Sequence, residues 1–442
     1  MVERGWLIKL RKDLGLTQQQ AAKLIGISRS YYGEIELGQK NPSGSIAKKI
    51  SELFGFDMAL FYELKGRKLS KREFCLNLSG NICPHDLIRW LHLNDEMKKG
   101  RRCNMFVDHY LKGPFDRLFV AVVTPYKNGY DEIDEEGLRR LIRHFTQKKY
   151  IDAGIGIIIN PEAGEIFYLT REEKKRSVEI AVEECKGKVP VFAGAIDLTT
   201  DGTVLVAEDA KAAGADGIFI MPPLGALDVT SAWDAEKYPE VWLDMVKSID
   251  NTLDMPLIAH PVCAPNRFGI GLPLSATLKM CKEIPNIVGW KMTYNWDAWK
   301  EIAIALRNLD KRVSVLGASA KRFHEAMYCH LMDGTVTGSL NYALEPMVEH
   351  LESLRNGEHD KALQIWKRLY PLHEYIYADY SRLHVRYKLA TWIRGLIGQP
   401  FMRPPMPTPR KEEALTLKKL FKQAQMDTIS EEEFQAIVPL LS

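Results

Sequence analysis

From residue 114 onward the chain repeats one alternation, a short and nearly continuous apolar run followed by an amphipathic helical segment. The runs are RLFVAVVTP (117–125), AGIGIIIN (153–160), VPVFAGA (189–195), DGIFIMPP (216–223), MPLIAH (255–260), NIVGWK (286–291), VSVLGA (313–318) and GTVTGS (334–339). Strands that are apolar on both faces and joined by helices belong to a parallel sheet covered on both sides. Eight of them over about 225 residues predict an α/β protein built on a (β/α)8 barrel rather than an open doubly wound sheet. No G-x-G-x-x-G follows a strand, so a dinucleotide fold has no support. The expected organisation is a small helical domain at 1–72, a partly helical linker at 73–113, the barrel at 114–358 and a C-terminal helical extension at 359–442.

Composition narrows the setting. Apolar residues at 46% and charged residues at 26% are ordinary for a soluble globular chain. No stretch approaches ~18 uninterrupted apolar residues, so no membrane span is expected. The opening MVERGWLIKLRKDLG lacks the apolar stretch of a signal peptide. Seven cysteines lie scattered without a C-x-x-C pair, which fits reduced thiols in a cytoplasm and no cysteine-based metal site. His324 and His330 in HEAMYCH lack the H-E-x-x-H spacing and read as helix residues. No metal and no cofactor is expected.

Charge is uneven. Residues 1–72 carry 14 Lys/Arg against 7 Asp/Glu, while the whole chain is only +3. A basic head on a mildly acidic body places any polyanion partner at the N-terminus. Thr17, with Gln20 three residues on, forms a capping-box signal, Gly26 ends that helix, and Ser28 caps the next, RSYYGEIE. Two short helices with a tight glycine turn make a helix-turn-helix, whose second helix can enter the major groove of duplex DNA. The stretch LTQQQAAKLIGISRSYYGEIELGQKNPS resembles the Cro/C1-type (XRE) helix-turn-helix family over about residues 6–62. That resemblance implies that Ser28, Arg29, Ser30, Tyr31 and Tyr32 face DNA, with Gln18 and Lys40 near phosphates.

In a (β/α)8 barrel the site lies at the C-terminal strand ends. Lys291 ends the sixth run and His260 the fifth. Parallel neighbours run ~4.8 Å apart, so the two can meet if both point inward. Gly289, two residues before Lys291, is expected to clear space for a ligand. A lysine at a strand end can simply snorkel to water. In an apolar barrel mouth, however, its pKa falls and it becomes a nucleophilic amine.

The segments VVTPY, IDEEGLRRLI, GEIFYLTREEK, AKAAGADGIFIMPP, IPNIVGWK and DGTVTGSLNYALEP, with the later RPP, resemble the dihydrodipicolinate synthase/N-acetylneuraminate lyase family of class I aldolase-type barrels. The resemblance implies that Lys291 forms the Schiff base, that Arg267, Gly164, Gly338 and Asn341 bind substrate, and that the chain is a dimer or tetramer. Its departures matter as much. The family's G-T-T-G-E loop reads PEAGE here, with Glu162 and Ala163 at the threonine positions, and no strand-four tyrosine follows PP in PPLGAL. His260 stands where the family has its proton-transferring tyrosine. Dihydrodipicolinate synthase activity itself is therefore not expected. Two readings follow. One is a DNA-binding protein with an imine-forming lyase barrel, in which Lys291 is the nucleophile and His260 shuttles protons, aided by Glu162. The other is a transcription regulator whose barrel senses a carbonyl metabolite without turnover.

Overall fold

The computed structural model describes residues 4–54, 113–127, 130–223 and 232–442. They fall in two compact units, divided between Met105 and Phe106. The linker expected at 73–113 lies, but for its last residue, outside the described residues.

In the N-terminal unit helices α1 (Gly5–Asp13), α2 (Gln18–Ile25), α3 (Arg29–Glu36) and α4 (Gly44–Phe54) enclose a small core that includes Leu7, Ala21, Ile25, Tyr32, Ile35 and Ile50. The local signals act as the sequence implies. Thr17 and Gln20 close a capping box, and Gly26 ends α2 in the left-handed region at φ 79°. Ser28 accepts from the Tyr31 N–H. Glu36 is fully buried and organises the unit, because Arg11 donates to both its oxygens (2.6 and 3.1 Å) and Gln18 donates to Oε2 (2.8 Å). A buried carboxylate is tolerated only with such partners.

In the second unit eight parallel strands close into a barrel: β1 (Leu118–Ala121), β2 (Ile155–Ile159), β3 (Val191–Ala195), β4 (Gly217–Ile220), β5 (Leu257–Ala259), β8 (Ile287–Met292), β9 (Ser314–Gly317) and β10 (Gly334–Thr337). They neighbour one another in chain order, and β10 pairs with β1 to complete the ring. A two-stranded hairpin, β6 (Val262–Asn266) and β7 (Gly269–Gly271), interrupts the connection after β5. Register fixes the inward face. Phe119 and Phe192 meet edge to face at 5.4 Å low in the barrel, and Gly156 and Gly217 leave the room their rings need.

Each barrel strand leads to a helical layer, β5 by way of the hairpin, seen in α5 (Glu135–Phe145), α6 (Lys148–Ala153), α7 (Arg171–Cys185), α8 (Thr200–Ala212), α9 (Glu240–Leu253), α10 (Leu274–Glu283), α11 (Trp296–Arg307), α12 (Phe323–Tyr328) and α13 (Leu340–Arg355). Four of these helices start on a side-chain cap: Asp134 accepts from Gly137, Thr199 from Gly202 and Asn295 from Ala298, and Thr170 forms a capping box with Glu173. Beyond residue 358 come α14 (His359–Tyr377), α15 (Leu383–Ile393), α16 (Lys411–Gln423) and α17 (Glu431–Ile437). Leu389, Phe421 and Phe434 belong to the same continuous core as the strands, so these helices are the outer layer of the barrel unit. Among the described residues no helix is long and apolar enough to cross a membrane.

One ion pair ties that layer to the barrel. Lys388 of α15 donates to Glu165 at 2.7 Å, and both side chains are fully buried. The Lys388 ammonium also sits 4.0 Å from the centre of the Tyr126 ring, and the Arg403 backbone N–H donates to the other Glu165 oxygen (2.8 Å). Removing one member of such a pair strands the other charge, at a cost of about 3–5 kcal/mol, whereas replacing both by apolar groups is far cheaper. Lys388→Met should accordingly lower the urea midpoint of the barrel unit sharply, and the double change Glu165→Leu, Lys388→Met should recover much of the loss.

Candidate active site and nucleic-acid interface

The barrel brings Lys291, His260 and Glu162 together. Trp290 pairs with Ala259 across β8 and β5, so the next residue on each strand, Lys291 and His260, stands side by side at the mouth. The His260 N–H donates to Ile220 (2.8 Å), extending the ladder to β4. Glu162 arrives from the opposite wall, opening a short 3-10 turn, Glu162–Gly164, just after β2. Its Oε2 lies 3.0 Å from His260 Nδ1 and 3.9 Å from Lys291 Nζ, and Nζ to Nδ1 is 3.4 Å.

Two residues complete the group that sequence reasoning did not single out. Phe219 of β4 stacks on the His260 ring (5.6 Å, 29°) and presents its face to Nζ at 5.5 Å. His384, at the start of α15, lies close enough for Glu162 and Lys291 to affect its protonation. Phe219 was legible only as one more apolar strand residue. His384 had a faint signal, since HVRYKLATWI carries three basic side chains along a segment buried almost throughout.

Burial pushes the Lys291 ammonium down to about 8, with Glu162 pulling the other way. At pH 7 such an amine is uncharged about a tenth of the time, against roughly one part in three thousand for an ordinary lysine. Burial likewise takes His260 to about 3, so its ring is neutral. Burial alone would raise the Glu162 carboxyl, but His260, Lys291 and His384 outweigh it and hold the group below its usual range. The ionised carboxylate then takes the Nδ1–H of His260, which leaves the histidine lone pair on Nε2. The proton shuttle expected of His260 meets a ring that burial beside Phe219 keeps neutral.

The other expected substrate ligands stand elsewhere. The amide of Asn341 is spent on backbone: it accepts from Val123 N–H (3.1 Å) and donates to Ala121 and Gly338 carbonyls (2.7 and 2.8 Å), stitching β1 to α13. Gly338 has Tyr387 against it, where a Cβ would fall 2.4 Å from the ring, so no ligand reaches that side. Gly164 is enclosed by Val122 and Pro161, and its carbonyl accepts from Thr124 (2.7 Å). Arg267, at the hairpin turn, is 70% exposed in its side chain, lies over Phe268 and pairs loosely with Glu301 at 3.7 Å. Gly289 does face inward, but the room it leaves is taken by Leu316 and Ile258.

In the N-terminal unit Ser28, Arg29 and Ser30 are exposed at the start of α3. Tyr31 is half-buried, and Lys40, paired with Glu34 at 2.8 Å, lies 5.8 Å from its ring centre. Tyr32 departs from expectation: it is fully buried and packs on Phe54 at 6.4 Å, so it belongs to the core and not to a DNA face. Gln18 is turned toward Glu36 and serves the scaffold.

The geometry agrees with the comparisons. Residues 114–424 match the dihydrodipicolinate synthetase family and residues 7–61 a helix-turn-helix family. The chain belongs to the dihydrodipicolinate synthetase family, with a helix-turn-helix domain at its N-terminus. It is 30% identical over 315 residues to a 4-hydroxy-tetrahydrodipicolinate synthase of Campylobacter jejuni, a match that takes in 68% of this chain and 94% of the relative. Identity to the synthase of Methanopyrus kandleri is 26% over 306 residues, with the same coverage. Among solved structures, dihydrodipicolinate synthase from Aquifex aeolicus superposes with a TM-score of 0.60 at 24% identity, covering 72% of this chain and all of that one.

The charge assignments make a pH prediction. Capture of propanal at Lys291, read by intact mass with cyanoborohydride, should rise with pH to a midpoint near about 8. Glu162 favours the charged amine, so Glu162→Gln should move that midpoint to lower pH. A midpoint at the ordinary lysine value, or an upward move in the variant, would contradict the assignments.

Proposed function

We propose that this chain is a DNA-binding protein whose barrel forms a Schiff base between Lys291 and a carbonyl compound and acts on it as a carbon–carbon or carbon–oxygen lyase. The observation that carries this reading is a single one: a lysine amine of depressed pKa, at the strand-end mouth of the barrel, 3.9 Å from a carboxylate and 3.4 Å from an imidazole. The neutral amine attacks the carbonyl carbon, and Glu162 accepts the proton released from nitrogen. The same carboxyl passes that proton to the oxygen, giving the carbinolamine hydroxyl, and relays the second amine proton to it in turn, so that water leaves and the neutral imine remains. His260, through its Nδ1–H, holds Glu162 over the amine. The iminium that follows is stabilised by the carboxylate beside it.

A second reading keeps the imine without turnover. It is favoured by the neutral, enclosed state of His260, whose pKa of about 3 leaves only one effective acid–base group at the amine. The barrel would then be a metabolite sensor coupled to transcription. Borohydride trapping across a panel of ketones and aldehydes tests both readings. Wild type should gain one reduced adduct at Lys291, and Lys291→Arg, which keeps charge but cannot form an imine, should gain none while remaining folded. His260→Phe separates the two. A lyase loses roughly 10²–10⁴-fold in turnover, as expected for a disturbed acid–base group, whereas a sensor changes only in ligand affinity.

For the head, the proposal is duplex DNA read by the exposed start of α3, with Arg29 donating to guanine edges and Ser28 and Ser30 to bases or phosphates. The chain would work in the cytoplasm as a homodimer or tetramer, its two-fold symmetry matched to paired half-sites. Arg29→Ala should cost about 1–3 kcal/mol at a selected site and leave the melting of the head unchanged. Tyr32→Ala should instead unfold the head, since truncating a buried aromatic costs about 3–5 kcal/mol. An Arg29→Ala protein that binds the selected duplex as wild type does, at two salt concentrations, would remove Arg29 from the interface.

A further inference from the structure

Resting on the imine reading, we infer that the carbonyl compound taken by Lys291 carries no carboxylate next to its carbonyl, and that a hydroxyl group occupies that flank and donates to Glu162. The first observation is the charge beside the amine. Glu162 Oε2 is 3.9 Å from Nζ, closer than any other anionic group near it, and it is held ionised. A ligand carboxylate on the carbon bonded to nitrogen would have to settle within a few ångströms of that oxygen, and like charges at such a distance in an enclosed site repel strongly.

The second observation is that, among the described residues, the side chains other than Lys291 and His384 that could balance such a carboxylate are committed elsewhere, and burial lowers the His384 imidazole below its ordinary value. Lys388 is locked to Glu165, and the Arg403 guanidinium donates to both oxygens of Glu173 (2.7 and 2.8 Å). Thr337, the last residue of β10, and Ser339, two residues on, converge on Tyr377 Oη at 2.9 and 3.2 Å. Asn341 is spent on backbone and Arg267 turns to solvent, as described above. Ala163 offers no hydroxyl.

The third observation is the cavity at the same end of the barrel. It holds about 340 Å³ between the segment around Trp233 and the β6–β7 hairpin, and its charged lining is Asp234 and Glu236. The hairpin begins two residues after His260. Acidic side chains at that end of the barrel disfavour anions and suit neutral, hydroxylated molecules. A hydroxyl next to the carbonyl can donate to Glu162, a pairing that a carboxylate cannot make.

Hydroxyacetone and pyruvate test this directly, because they differ only in a hydroxymethyl or a carboxylate on the same ketone. Each is incubated with the full chain and cyanoborohydride, propanal serves as the uncharged control, and the adduct is followed by intact mass and mapped to its peptide. The C–N bond forms at the ketone carbon, its oxygen leaves as water with both amine protons, and the reagent's hydride reduces the imine. Hydroxyacetone should label Lys291 at least tenfold faster than pyruvate, and Glu162→Thr, which removes the charge and supplies a hydroxyl donor, should bring the two rates within a fewfold. Pyruvate labelling as fast as hydroxyacetone in wild type, or a ratio unmoved in Glu162→Thr, overturns the inference and leaves the imine reading standing. Absence of any label at Lys291 from all three compounds, propanal included, overturns the imine reading and this inference with it.

Discussion

Closure of the parallel sheet is the constraint from which the rest of the barrel unit follows. Once β10 pairs with β1 there is no sheet edge left to protect, and every strand delivers its last residue to one rim. Residues far apart in the chain, such as those at 162, 260 and 291, are then held around a common axis by backbone hydrogen bonds alone. The register of β5 against β8 decides that Lys291 and His260 are neighbours, and a slip of one residue would turn Lys291 out of the barrel. Reactivity at the mouth therefore depends on ladder geometry established well below it.

The electrostatics of the mouth show two effects competing on the same three groups. Burial acts against each charge. Proximity acts in opposite directions on the carboxyl and the amine, so the outcome differs by residue. Glu162 stays ionised because His260, Lys291 and His384 surround it, Lys291 is loosened because one carboxylate does not offset its loss of water, and His260 is neutral because its ring is buried, with Phe219 stacked on one face. The N-terminal unit solves a related problem differently. Glu36 is fully buried but receives donors from Arg11 and Gln18, so its charge is retained as structure.

Much of this was legible in the sequence because periodicity reports burial. All eight apolar runs became barrel strands, and the capping residues Thr17 and Ser28 act where they were expected. Lys291 and His260 were accessible for the same reason, being polar residues at the ends of apolar runs, whereas Glu162 came from the family resemblance at the PEAGE loop. What could not be read is which inward or exposed-looking position is already occupied by another part of the chain. Asn341 bonds Val123, 218 residues away, and Gly338 is filled by Tyr387 from a helix nearly fifty residues on. The family resemblance placed Tyr32 on the DNA face, but the single step along α3 from half-buried Tyr31 turns it into the core and onto Phe54. His384 depends on the placement of α15 over the rim, which no local pattern encodes.

Glu165 has a mechanical meaning beyond its charge. It lies three residues after Glu162 on the same tight turn and is pinned to Lys388, while His384 sits one turn earlier on the same helix as Lys388. The turn bearing the carboxylate and the helix bearing the second imidazole are thus coupled like two ends of a rocker, with the ion pair as its pivot. That ion pair fixes the rim to the outer helical layer beside the hydrogen bonds that Tyr377 makes to Thr337 and Ser339 at the end of β10.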